Sequence, residues 1–85
     1  MTEPDNHTAL VDHLGGTWVR VDECPARNGG TWWPLTDGPG WEARVQDHVG
    51  QGRPWEWLDE YGPFTEADPQ RTARALRLVR EEFAR

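Results

Sequence analysis

Six tryptophans, at positions 18, 32, 33, 41, 55 and 57, stand in a chain of 85 residues whose mean hydropathy is only −0.89. A domain this short buries little more than roughly 60% of the surface its unfolded chain exposes, so its stability is marginal and it has room for one core. With hydrophobic residues at 35%, the rings must supply an unusual share of that core. Six is nevertheless more than a small core needs, and tryptophan is enriched where proteins grip partners. The sequence therefore describes a compact fold with indoles to spare for binding.

Periodicity places most of the rings. Residues 1–7 read as a disordered tail and 8–85 as a single small domain. Thr8 to Leu14 sets Leu10, Val11 and Leu14 on a short amphipathic helix that Gly15-Gly16 would end. From Thr17 to Asp22 the side chains alternate, Thr17, Val19 and Val21 against Trp18, Arg20 and Asp22, which is the period of a strand. Cys24 to Gly30 is a loop, and Thr31 to Leu35 a second short strand in which Pro34 must lie at an edge or an end. Turn residues from Thr36 to Gly40 lead into Trp41 to Gln46, whose alternation favours a hairpin strand over a helix. Trp55 to Tyr61 suits either an extended or a helical reading. Asp68-Pro69 is a helix start, and Thr72, Leu76, Val79 and Phe83 follow it as an apolar stripe.

These elements make an α+β fold, a small antiparallel sheet of about three strands packed against a C-terminal helix. Strand parity then turns Val19, Val21, Trp33, Leu35, Trp41, Ala43 and Val45 toward Leu76, Val79 and Phe83 of that helix. It sends Trp18 and Trp32 to the opposite face, with Arg20, Asp22, Glu42 and Arg44. Two readings of that face stay open. It is a binding surface, or the N-terminal helix or the Trp55 to Tyr61 segment folds over it and makes a second small core.

Composition narrows the partner. All nine basic residues are arginine, which fits a GC-rich bacterial or bacteriophage genome, and the net charge of −6 opposes nonspecific attraction to nucleic acid or anionic membranes. Cys24 is the only cysteine, so no internal disulfide forms, and a cytoplasmic location is expected. The acidic N-terminal residues do not resemble a signal peptide, and no run is apolar enough to span a membrane. His7, His13, His48 and Cys24 lack the paired spacing of a metal site, and no nucleophile, base and oxyanion site assemble, so neither a cofactor nor catalysis is expected.

The leading expectation is a non-enzymatic module that binds another protein through Trp18, Trp32, Trp55 and Trp57, oriented by Arg20 and Arg44. The alternatives are nucleic-acid binding, by indole stacking and the arginines of the C-terminal helix, and acidic mimicry of DNA. Trp33-Pro34 followed by Pro39-Gly40-Trp41 resembles the W-P and P-x-G-W elements of the MbtH-like proteins, Trp-rich partners of peptide-synthetase adenylation domains. The resemblance covers about nine residues, with a shorter spacing and without that family's tail. It implies only that a sheet with projecting indoles can clamp another protein.

Overall fold

The computed structural model describes residues 2–36, 44–45 and 52–84. The expectations for Trp41, Ala43 and Glu42 lie outside them. In chain order the elements are β1 (Ala9–Val11), β2 (Thr17–Arg20), β3 (Trp32–Thr36), β4 (Arg44–Val45), α1 (Trp55–Tyr61), β5 (Thr65–Glu66) and α2 (Pro69–Phe83). The strands form one antiparallel sheet in the order β4-β3-β2-β1-β5. Its centre is the three longer strands, β1 to β3, and two-residue strands extend it on either side. The fold is thus the small α+β arrangement that the periodicity predicts, with short additional strands at the margins.

Two elements depart from expectation. The segment read as an N-terminal helix is strand β1, because its apolar residues divide between two faces of a sheet: Ala9 packs with the α2 side and Leu10 with the other. Trp55 to Tyr61, open between two readings, is helix α1. Its first turn closes on the Pro54 carbonyl, and Leu58 is the residue it buries.

The α2 end of the fold was legible in detail. Asp68 caps the helix, its carboxylate accepting from Arg71 N–H at 2.8 Å, and Pro69 occupies the first turn where no amide is needed. Its inner face brings Ala75 and Val79 against Ala9, Val19, Val21, Cys24 and Leu35, with Trp33 and Leu76 partly buried beside them. Phe83, expected in this core, remains 49% exposed on the last turn. Pro34 pairs with Trp18 inside β3, yet two residues earlier Trp32 exchanges both backbone bonds with Arg53 on the side away from β2. The proline nitrogen, two residues on, points to that same outer side, where a missing donor does not break the central ladder.

The approach of residues 52–53 to β3 depends on glycine. A Cβ on Gly30 would lie 2.3 Å from the Gly52 carbonyl carbon, and one on Gly52 would lie 2.3 Å from the Ala26 Cβ. This contact delivers the chain to the start of α1. No helix among the described residues is long and apolar enough to cross a membrane.

Candidate functional site

Strand parity correctly sends Trp18 and Trp32 to the face opposite α2, but that face is closed. Trp32 is 0% exposed and Trp18 9%, and with Leu10 and Leu58 they form a second buried cluster, flanked by Trp55 and Phe64. The expectation that these two indoles project as partner anchors is therefore corrected: α1 lies over them, and each ring N–H finds an acceptor inside the fold. Trp18 Nε1 donates to Asp12 Oδ2 at 3.1 Å, and Trp32 Nε1 to Glu3 Oε2 at 3.0 Å. Buried indoles need such partners.

Arg20 is also occupied. Its guanidinium donates to both oxygens of Asp22 at 2.8 Å and to the Pro4 carbonyl at 2.6 Å, tying the N-terminal segment to β2, and the Asp22 bond raises its pKa. Residues 2–7, which read as a tail, are held further by the side chain of Asn6, which accepts from Asp22 N–H at 2.9 Å, and by His7 Nε2, 2.6 Å from Glu23 Oε2. Its own backbone N–H, and then the His7 ring, bring the Glu23 carboxyl down from 4.5 to about 2. Arg44 pairs with Thr36 through its backbone in β4, and its side chain lies outside the described residues.

Of the expected anchors, Trp55 is partly buried, tilted against Trp32 with ring centroids 5.6 Å apart, and Trp57 reaches solvent. Trp57 is 38% exposed and belongs to a ladder of rings that sequence reasoning did not assemble. One side of the ladder is Arg53, whose guanidinium carbon is 5.0 Å from the Trp57 ring centroid. Trp57 stacks on Tyr61 at 4.9 Å and 15°, as their i, i+4 spacing on α1 allows, and Tyr61 meets His13 at 5.2 Å. Beneath, Trp18 contacts both Trp57 at 5.7 Å and Tyr61 at 6.4 Å, so the exposed layer rests on the buried one.

The β1–β2 turn supplies the other edge. Asp12 Oδ1 accepts from Leu14 N–H and Gly16 N–H, both at 2.9 Å, while Gly15 takes the left-handed φ of 86° that the turn requires. Leu14 is left at the tip of that turn, 76% exposed, and follows His13, the residue that meets Tyr61. The result is an apolar and aromatic surface built on two rigid supports. Arg53, Tyr61, His13 and Leu14 were missed because their proximity depends on how α1 lies across the sheet; the one available signal was the i, i+4 pairing of Trp57 and Tyr61.

Two arginines of α2 are engaged within the fold. Arg71 donates to the Thr17 hydroxyl and to the Gly15 carbonyl, each at 2.8 Å, and Arg80 lies 3.7 Å from Glu23. Cys24 is buried beneath α2, which pushes its thiol pKa up. Among the described residues no three His, Cys, Asp or Glu side chains gather as a metal-ligand set. Comparison with protein-family models, with curated proteins and with solved structures gives no match.

Proposed function

We propose that the chain is a small non-enzymatic protein-interaction module whose contact surface is the outer side of α1 with the β1–β2 turn, centred on Trp57 and bounded by Arg53, Tyr61, His13 and Leu14. The observation that carries this reading is the partial exposure of Trp57 within a fixed stack on Tyr61, which also meets His13 of the β1–β2 turn, where Leu14 is left 76% in solvent. Large apolar side chains held rigidly at a surface lose little conformational freedom on binding, and tryptophan with arginine is the pairing most enriched at binding hot spots. The buried rings Trp18, Trp32 and Trp55 take a supporting role, fixing the platform from below. The engagement of Arg71 and Arg80 within the fold supports a protein partner over nucleic acid. A cytoplasmic setting suits a module with one buried thiol and no possible internal disulfide.

The test is affinity capture from a native lysate with wild type, Trp57→Ala and Leu14→Asp. A complex retained by wild type and lost by both variants, each shown to be folded at the capture temperature, is the expected result. Equal recovery by all three proteins contradicts the proposed surface.

A further inference from the structure

Helix α1 carries Glu56, Asp59 and Glu60 among seven residues and no basic side chain in its last turn. Glu56 and Glu60 are i, i+4 neighbours, so their like charges repel, and Glu60 sits at the end of the helix where the backbone dipole is already negative. Both are exposed, and among the described residues neither carboxylate has an ion pair or hydrogen bond. The strip thus weakens the helix at Glu60, whereas Glu56, in the first turn, meets the positive end of the backbone dipole. It runs alongside the equally spaced pair Trp57 and Tyr61, so a carboxylate row and an aromatic row lie side by side on one small element.

A cation is the group that satisfies both rows, by ion pairing with one and by contact with the π-face of the other. The fold already provides an example. Arg53, whose backbone is bonded to Trp32, places its guanidinium 5.0 Å from the Trp57 ring centroid, and among the described residues the guanidinium itself has no carboxylate or hydrogen-bond partner. The guanidinium is thus held on the indole without a carboxylate clamp and can be displaced from it.

We propose that the partner presents a basic segment to this surface, and that an arginine or lysine side chain of the partner lies between the Glu56/Glu60 row and Trp57, displacing Arg53 from the ring. The inference rests on the interaction-module reading and specifies the charge of the partner. The net charge of −6 favours such a partner over an acidic one at long range as well.

The test uses the full chain and three fluorescently labelled probes of equal length: an arginine-glycine peptide, a glutamate-glycine peptide and a single-stranded oligonucleotide. The arginine peptide is expected to bind at least tenfold tighter than either other probe, to change tryptophan emission in wild type but not in Trp57→Phe, and to weaken as salt rises. Glu56→Gln with Glu60→Gln should weaken it severalfold, and Arg53→Gln should tighten it severalfold by vacating the ring. Preference for the acidic peptide or the oligonucleotide overturns the proposal, as does weaker binding of the arginine peptide by Arg53→Gln. If the arginine peptide does not bind while Trp57-dependent capture from lysate persists, the basic-segment proposal fails and the interaction-module reading stands. Thermal melts of each variant separate lost contact from lost fold.

Discussion

Trp32 and Trp57 are one residue type in opposite situations, and their substitutions should separate cleanly. Truncating a fully enclosed indole removes its transfer free energy and leaves a cavity, so Trp32→Ala is expected to lose roughly 3–5 kcal/mol and to unfold a domain of this size near physiological temperature. Trp57→Ala, which gives up its stack on Tyr61, its contact with Trp18 and one guanidinium contact at a site open to solvent, should lose less, roughly 1–2 kcal/mol. Denaturant melts of the two variants check the difference. Asp12 combines two duties, ordering the turn and accepting from the Trp18 indole. Asp12→Ala should therefore cost about 1–3 kcal/mol, because it leaves a part-buried N–H without a partner. Cys24 supplies a further check, since its buried thiol should react with a disulfide reagent at neutral pH only through opening of the fold, far more slowly than a free thiol in solution.

At the level of elements, what the sequence revealed was whatever depends on local period. The alternation through Thr17 to Asp22 and Thr31 to Leu35 assigned Val19, Val21, Trp33 and Leu35 to the α2 face and Trp18 and Trp32 to the other, as observed, and Asp68-Pro69 located the start of α2. What it hid depends on packing between distant segments. Three residues, Ala9 to Val11, are too few to distinguish a strand from a helical turn, and Leu14 drew the reading toward a helix although it lies at the tip of the turn. Nothing local in Trp55 to Tyr61 indicates that Leu58 faces Trp18 and Trp32, so the choice between a bare face and a covered one could not be made from the chain alone.

The N-terminal segment adds an element-scale prediction in pH. Glu23 has a folded pKa of about 2 against an ordinary 4.5, so its contribution to stability is fully present above 4.5 and is lost as the pH falls from there through about 2. Glu23→Gln should accordingly lose less stability than wild type over that interval, as measured by melts between pH 6 and pH 2 in steps of roughly one unit. Equal acid sensitivity would mean that the Glu23 carboxylate, held by its own backbone N–H and by His7, contributes nothing. In the close backbone contact, Gly30→Ala should destabilise strongly, because the atoms its Cβ would meet are Gly52 backbone and cannot swing aside.

At the scale of the molecule, the described residues form a single sheet with a core on each side, one closed by α2 and the other by α1. That arrangement accounts for the five tryptophans among the described residues more fully than one core with surplus rings. Trp33 serves the α2 side, Trp18, Trp32 and Trp55 serve the α1 side, and Trp57 rests on the second core while reaching solvent. The proposed function follows from the same division, because a rigid binding platform requires a packed layer beneath it. Fluorine NMR of protein labelled with 5-fluorotryptophan, with resonances assigned by single Trp→Phe substitutions and a soluble paramagnetic agent added, tests this directly. The resonance of Trp57 should broaden strongly while those of Trp18 and Trp32 stay sharp; broadening of Trp18 and Trp32 to the same extent as Trp57 would contradict the closed second core and the platform built on it.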